Sequence, residues 1–169
     1  MNAILNVWNA LDADAAVATL LSCCAAHRWA REVAAHRPYA TADHLFKAAD
    51  SVWATMEEPD WMEAFQAHPR IGERKAAHAS EQSASWSRQE QASTDATEER
   101  VLNALARCNA GYEEQFGFTY IVCATGKSAE EMLEILERRL ASDRLNELRE
   151  AAEQQRQITQ IRLRKWLEI

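Results

Sequence analysis

The chain has 169 residues, of which 47% are hydrophobic and 27% charged, proportions typical of a globular protein with a sizeable core. Four glycines, three prolines and 32 alanines exclude an all-β fold, because alanine is the best helix former and a poor strand former. A formal net charge of −7 argues against nucleic acid and anionic lipid as partners, and uncharged stretches such as residues 116–125 are far shorter than the ~20 residues of a membrane span.

No internal repeat and no linker-like tract divides the chain. We therefore predict one all-α domain over residues 1–169, with about seven to eight helices. The N-terminus lacks the pattern of a signal peptide, which favours a cytoplasmic protein. The four cysteines form no C-x-x-C pair and the five histidines no H-x-x-x-H pair, so we expect reduced, buried thiols and no metal site.

The first half of the chain contains three predicted helices. Asp14 is a candidate N-cap for a helix that runs toward Arg37-Pro38, where the proline ends it. Thr41 caps the second, whose apolar stripe we assign to the core. That stripe comprises Leu45, Phe46, Ala49, Val52, Trp53 and Met56. Glu58-Pro59-Asp60 begins the third, and His68-Pro69 should lie at its end, because the residue before a proline disfavours helical backbone.

The middle of the chain is less regular. Residues 73–85 are polar and lack an apolar stripe, which predicts a loop. Further helices are expected to begin at Ser87 and at Thr97, and Gly117 should end the second of them. The run from Phe118 to Ala124 is short and rich in β-branched and aromatic residues, so we predict a buried, extended segment.

Two helices are predicted at the end of the chain. Ser128 and Glu131 form a capping box before the first of them. Ser142 or Asp143 begins the last helix, whose apolar face continues to Trp166.

A titratable residue, a helix break and a glycine converge only at His68-Pro69-Arg70-Ile71-Gly72. Arg70, Arg74 and Lys75 surround the imidazole with positive charge, and an ordinary histidine pKa of about 6.5 suits proton transfer near neutral pH. The same position is also typical of a histidine that merely caps a helix.

Ser87 and Glu90 have the S-x-x-E spacing of a capping box. A helix N-terminus there would also offer amide groups to an anionic ligand. The run from Phe118 to Ala124 would offer main-chain amides and carbonyls to a polar ring if it lies beside a pocket.

Short blocks in one order along nearly the whole chain resemble the 2-oxo-4-hydroxy-4-carboxy-5-ureidoimidazoline (OHCU) decarboxylase family of urate breakdown. The blocks are Arg37-Pro38-Tyr39, His68-Pro69 with Ile71-Gly72, Ser87 with Glu90-Gln91, Asn109 with Tyr112, Phe116-Gly117-Phe118, Ile121 to Ala124, Arg138-Arg139-Leu140 and Asn146-Glu147-Leu148. The resemblance implies an all-α homodimer without cofactor or metal, which converts a small ureidoimidazoline to (S)-allantoin and CO₂.

The resemblance assigns proton transfer to His68. The substrate contacts that it implies are Pro69, Ser87, Arg88, Gln89, Glu90, Gln91, Tyr120, Ile121, Val122, Cys123 and Ala124, the last five largely through main-chain atoms. We assign to Glu90 the orientation of the substrate's hydroxyl or ureido hydrogens.

One departure concerns the cation that would meet the substrate's carboxylate. Many family members carry an arginine directly after the alanine of the Ile121 to Ala124 block, where this chain has Thr125. Lys127, Arg70 and Arg88 are the open candidates.

The reaction that the resemblance implies requires only a small set of catalytic residues. Loss of CO₂ leaves an electron pair on carbon, for which decarboxylases usually use a cofactor as electron sink. OHCU has its own sink in a C=N group beside the carboxylated carbon, so the protein need only orient the substrate, exclude water and move protons.

Two alternatives stay open. In the first, the chain is a helical interaction module, in which Ser87 and Glu90 only cap a helix and His68 only ends one. In the second, it is a hydrolase or isomerase of a related ureide, which would release no CO₂.

Overall fold

The computed structural model describes residues 2–70, 82, 85–87 and 99–169. Within these ranges the chain forms eight helices of seven or more residues and no strand, which confirms the all-α prediction. They are α1 (Ala3–Asn9), α2 (Ala13–Leu21), α3 (His27–Ala35), α4 (Ala42–Trp53), α5 (Glu58–Gln66), α6 (Glu99–Phe116), α7 (Ala129–Leu140) and α8 (Arg144–Trp166). None of the described helices combines the length and apolar character that crossing a membrane requires.

Four helices begin where the sequence predicts: α5 begins at Glu58, and a short polar side chain caps each of the other three. Thr41 Oγ1 accepts a hydrogen bond from the His44 amide at 3.2 Å before α4. Ser128 and Glu131 form the reciprocal capping box before α7. Asp143 Oδ1 accepts a bond from the Asn146 amide at 2.9 Å before α8. Such caps satisfy amides within the same turn, so local sequence identifies them.

The prediction of one helix from Asp14 to Arg37 is wrong. The stretch contains α2 and α3, and Asp12 caps the first, with its Oδ1 accepting a bond from the Ala15 amide at 2.8 Å. The second helix starts at His27, whose amide donates to Glu63 Oε2 at 2.8 Å. Because that carboxylate comes from α5, a tertiary contact decides where α3 begins. Helix α1, which Asn2 caps through a hydrogen bond from the Leu5 amide, is a further helix that was not predicted.

The remaining helix predictions have mixed outcomes. Of the predicted loop over residues 73–85, Gln82 and Ser85 are helical, so the prediction is wrong at these two positions, and its other residues lie outside the described ranges, as does Thr97. Helix α6 ends at Phe116, and Gly117 follows with a φ of +82°, a left-handed conformation that glycine adopts without strain.

Two compact units make up the chain: Met1–Ala64 with Arg156–Ile169, and Phe65–Gln155. The interpretation of residues 1–169 as one domain stays a prediction. Each unit has its own buried side chains, Trp8 and Trp29 in the first and Phe65, Tyr112 and Met132 in the second.

In the first unit, the Arg37-Pro38-Tyr39 block ties α1 to the end of α3. Arg37 Nη1 donates to the carbonyls of Trp8 at 2.8 Å and Leu11 at 3.0 Å, near the end of α1. Tyr39 stacks on Trp8, with ring centroids 6.1 Å apart, and its hydroxyl donates to the Val33 carbonyl at 2.8 Å. The block therefore supplies side-chain donors to carbonyls at and near the ends of α1 and α3.

All four cysteines carry free thiols. Cys23, Cys24 and Cys123 are buried, which confirms the prediction for them, whereas Cys108 is half-buried. Burial raises the pKa of Cys23 to about 12 and that of Cys24 to about 11. These two thiols stay protonated at neutral pH and serve as small apolar side chains.

The second unit is organised around a buried ion pair. Arg139 on α7 is 4% exposed and Glu147 on α8 is 1% exposed, and Arg139 Nε donates to Glu147 Oε2 at 2.7 Å. The Tyr112 hydroxyl of α6 donates to the same carboxylate. Arg139 Nη1 donates to the Ile121 carbonyl at 2.6 Å. One cation therefore links three helices and the segment between α6 and α7.

Removing one partner of this pair should be costly, because the other charge would stay buried without its counter-ion. We expect Glu147→Gln to lower the free energy of unfolding by about 3–5 kcal/mol, measured by urea denaturation at pH 7. The exposed Glu134→Gln on the same unit is the control and should change it by less than about 0.5 kcal/mol. A loss below about 1 kcal/mol for Glu147→Gln would contradict the structural role of the pair.

Candidate active site

His68 lies where the sequence predicts, just beyond α5. Its amide donates to the Phe65 carbonyl at 3.1 Å, which closes the last turn, and buried Pro69 follows. The imidazole is half-buried, and its Nε2 lies 2.6 Å from Oε1 of Gln155 on α8. Gln155 is 0% exposed. A buried glutamine therefore holds the ring of the predicted proton-transfer residue.

The segment from Phe118 to Ala124 is neither helix nor strand, and Phe118, Tyr120 and Ile121 are buried. The predicted burial is confirmed at these residues, and the prediction that the run is extended stays a prediction. Its side chains pack inward while its main chain is anchored by other residues, as described next.

Polar side chains hold the main chain of this segment at two neighbouring residues. The Ile121 carbonyl accepts the bond from Arg139, and the Cys123 amide donates to Gln154 Oε1 at 2.8 Å. Lys127 Nζ donates to the Cys123 carbonyl at 2.7 Å. Within the described part of the chain, the main-chain groups of Val122 between these anchors make no hydrogen bond.

Three links join the region of His68 to this segment. The rings of Phe65 and Phe118 lie 5.4 Å apart. The Glu113 carboxylate binds Arg70 at 2.6 and 2.8 Å and also accepts a bond from the Thr119 hydroxyl. The third link is the pair of adjacent glutamines on α8, since Gln155 binds His68 and Gln154 binds Cys123. These three links connect the neighbourhood of His68 and Pro69 to the segment at Phe118, Thr119 and Cys123.

The predicted block after Ser87 is described only in part. Ser87 is 2% exposed, and the backbone of residues 85–87 is helical. The prediction that a helix begins at Ser87 is therefore wrong, since the helical backbone is already formed at Ser85. Arg88, Gln89, Glu90 and Gln91 lie outside the described residues.

The candidate cations differ in their surroundings. Arg70 forms a bidentate ion pair with Glu113, in which Nε and Nη2 each donate to one carboxylate oxygen. Lys127 instead contacts the main chain of the candidate site, at Cys123. Arg88 lies outside the described residues.

The two tyrosines near the site are unsuited to proton transfer at neutral pH. Burial raises the pKa of Tyr112 and of Tyr120 well above the usual value, and the nearby Arg139 guanidinium offsets only part of this effect. The Tyr120 hydroxyl donates to the Met132 carbonyl at 3.0 Å. Both side chains stay protonated and act as packing groups. Among the described residues, no three histidine, cysteine, aspartate or glutamate side chains are grouped to hold a metal ion.

Sequence reasoning gave no role to Gln154, Gln155, Arg139 or Glu147. Arg139 and Glu147 belong to the matched blocks, but residue type alone does not distinguish a buried ion pair from an exposed one. For Gln155 a signal was present: it continues the helical spacing of Leu148, Ala152 and Ile158. An amide in an apolar stripe requires a hydrogen-bond partner.

Comparison with known proteins gives consistent matches. A family model described as OHCU decarboxylase matches residues 9–164. The uric acid degradation bifunctional protein TTL of Arabidopsis thaliana is 33% identical over 144 residues, which are 85% of this chain and 44% of that protein. A 2-oxo-4-hydroxy-4-carboxy-5-ureidoimidazoline decarboxylase of Haloferax volcanii is 26% identical over 136 residues, 80% of this chain and 79% of that protein. The chain therefore spans less than half of the Arabidopsis relative.

A similar fold has been solved. The crystal structure of OHCU decarboxylase in the presence of (S)-allantoin matches with a TM-score of 0.77 and 30% identity, and the match covers 89% of this chain and 98% of that chain.

The ion pair between Arg70 and Glu113 should make the free energy of unfolding depend on pH in the acid range. The hydrogen bond from Arg70 holds the pKa of Glu113 below its usual value, against the opposing effect of burial. Its contribution to the free energy of unfolding is therefore complete above the ordinary glutamate pKa of about 4.3 and is lost as the pH falls through the lower folded-state pKa. Below about pH 4.3, wild type should lose stability more steeply than Glu113→Gln, as urea titrations from about pH 6 to 3 would measure.

The neighbouring Glu114→Gln provides the control, since Glu114 is exposed. Its slope should equal that of wild type. Equal slopes for wild type and Glu113→Gln would contradict the predicted linkage.

Proposed function

The chain belongs to the OHCU decarboxylase family, and from this premise we propose that it decarboxylates OHCU to (S)-allantoin and CO₂ in urate degradation. In this proposal His68 transfers the proton and Glu90 orients the substrate. The observation that carries it is a pair of hydrogen bonds to adjacent glutamines of α8: Gln155 bonds the His68 ring, and Gln154 bonds the Cys123 amide. That arrangement supports a site in which a titrating ring lies near a main-chain binding segment.

The electron flow needs no cofactor. The bond from C4 of OHCU to its carboxylate breaks, and the electron pair forms a C4=C5 double bond. The electrons of the C5=N bond move to the ring nitrogen, which takes a proton from solvent. The C4 hydroxyl then loses its proton to become the C4 carbonyl, while C5 gains one. Addition of that proton to one face of C5 yields a single enantiomer of allantoin.

His68 is the proposed carrier of the proton between the C4 hydroxyl and C5. Positioned general acid–base catalysis contributes about 10²–10⁴-fold, and orientation of the substrate supplies the remainder. Glu90 is a hydrogen-bond acceptor for the C4 hydroxyl or the ureido hydrogens. Pro69, buried beside His68, would form an apolar wall of the pocket.

The main chain of residues 120–124 supplies the other proposed contacts. The amide and carbonyl of Val122 match the alternating donors and acceptors of a ureidoimidazoline ring. The anchored Ile121 and Cys123 on either side hold those groups in place before substrate arrives. Ser87, Arg88, Gln89 and Gln91 complete the proposed contacts. The absence of a cofactor, the homodimer and the cytoplasmic location stay predictions.

The test is to generate OHCU from urate in situ and to follow allantoin formation by circular dichroism. Wild type should form one enantiomer rapidly, and His68→Ala should slow its formation by about 10²–10⁴-fold. Glu90→Ala should also slow it, because the substrate loses an orienting acceptor. His44→Ala, a change of an exposed histidine on α4, should leave the rate unchanged.

Each alternative function has its own outcome. A wild-type protein that leaves the slow racemic background unchanged would refute the decarboxylase and favour a helical interaction module. Consumption of a related ureide without release of CO₂ would favour a hydrolase or isomerase.

Lys127 is the cation that we propose for the substrate's carboxylate. Its Nζ donates to the Cys123 carbonyl, within the proposed substrate contacts, whereas the Arg70 guanidinium forms an ion pair with Glu113. We expect Lys127→Met to raise KM by about tenfold to a hundredfold, the equivalent of one lost charged hydrogen bond. Lys127→Arg should retain most of the affinity. The control is Lys47→Met, at an exposed lysine of α4. An unchanged KM in Lys127→Met would assign the carboxylate to another cation.

A further inference from the structure

Gln155 is a polar side chain in an apolar row of α8. It is 0% exposed, and Ala151, Ala152 and Ile158 on the same side of the helix are buried with it. Burying an amide without partners costs free energy, so its contacts determine what the side chain can do. Its Oε1 lies 2.6 Å from Nε2 of the His68 ring.

This contact selects one of the two neutral forms of the imidazole. A glutamine Oε1 is a carbonyl oxygen and can only accept a hydrogen bond. The facing Nε2 of His68 must therefore carry the hydrogen. Because a neutral imidazole has one ring proton, the lone pair lies on Nδ1.

The neighbouring Gln154 does not share this role. Its Oε1 accepts from the Cys123 amide, and its Nε2 donates to Glu150 Oε1 at 3.0 Å. Gln154 therefore orients the main chain at Cys123, and Gln155 orients the His68 ring. Since both belong to one helix, the ring and the main-chain segment keep a fixed spacing.

We propose that Gln155 is a positioning residue that fixes His68 as the Nε2–H tautomer, so that proton exchange with the substrate takes place at Nδ1. This inference rests on the proposed decarboxylation. Nδ1 takes the proton of the C4 hydroxyl as the C4 carbonyl forms. The resulting imidazolium, with protons on both nitrogens, returns the Nδ1 proton to C5 and regenerates the starting tautomer. One proton is taken and one is given, so the cycle balances.

The imidazolium step gives Gln155 a second effect. The amide oxygen continues to accept from Nε2–H when the ring becomes charged, so the ring keeps its orientation throughout the cycle. A hydrogen bond to the charged form also favours that form. Gln155 thus holds in place the donor that delivers the proton to one face of C5.

The experiment compares wild type with Gln155→Met and Gln155→Glu. Methionine fills a similar volume without an acceptor, and glutamate keeps an acceptor but adds a negative charge. Gln155→Met should lower kcat by about tenfold to a hundredfold, as loss of a partner that orients a functional histidine typically does. KM should stay unchanged, because the proposed substrate contacts do not include Gln155. Gln155→Glu should restore most of kcat at its optimum and move the acid limb of the pH profile upward by about one unit or more, because the carboxylate stabilises the imidazolium.

A readout independent of activity is the tautomer itself. Long-range ¹H–¹⁵N NMR correlations of the histidine rings, with His68 assigned by its loss in His68→Ala, should show Nε2–H in wild type and Gln155→Glu, and a mixture of tautomers in Gln155→Met. The matched control is Gln160→Met, at another buried glutamine of α8 that donates to the Phe46 carbonyl and to Asp50. It should change thermal stability without changing kcat or the His68 tautomer.

The outcomes separate the two proposals. If wild type does not accelerate OHCU decarboxylation, the proposed function fails, and the NMR result still decides whether Gln155 sets the tautomer. If wild type is active but His68 is protonated on Nδ1, or if Gln155→Met keeps both the wild-type kcat and the wild-type tautomer, the positioning role is overturned. Should Gln155→Met fail to fold, the pH profile and the tautomer of Gln155→Glu carry the test.

Discussion

The buried ion pair of Arg139 and Glu147 is the interaction on which the second unit depends. Two charges excluded from water are tolerated only when each is paired and hydrogen-bonded, so α7 and α8 must keep the register that places one against the other. The pair also recruits the Tyr112 hydroxyl and, through Arg139 Nη1, the carbonyl of Ile121. The buried guanidinium of Arg139 therefore fixes the position of Ile121 in the segment after α6.

That constraint explains how a segment without regular secondary structure can be ordered, as the proposed substrate contacts require. Residues 118–124 have no helical or sheet partners for their main chain, and a buried carbonyl or amide needs one. Arg139, Gln154 and Lys127 supply partners at Ile121 and Cys123, on either side of Val122. Preorganised main-chain groups of this kind bind a polar ring at low entropic cost.

Several blocks that resemble the family therefore serve structure rather than chemistry. Arg37-Pro38-Tyr39 satisfies the carbonyls at the end of α1 and packs on Trp8 in the first unit. Tyr112, Arg139 and Glu147 form the buried network of the second. Only the His68-Pro69 block, the incompletely described block after Ser87 and the run to Ala124 remain for the proposed reaction. The proposed set of catalytic residues is small, as expected if the proposed substrate provides its own electron sink.

The sequence by itself determined the helical class, the starts of α4, α7 and α8, the helix end at His68-Pro69 and the buried run from Phe118 to Ala124, because caps, prolines and apolar spacing act within a few residues along the chain. It also identified the family through the order of its blocks. Only the tertiary structure decided that α3 begins where Glu63 reaches it, that Arg139 and Glu147 are buried together, and that Gln155 holds the ring of His68. Those three contacts join residues 36, eight and 87 positions apart, and a side chain's partner across such separations depends on how the helices pack, which no local pattern encodes.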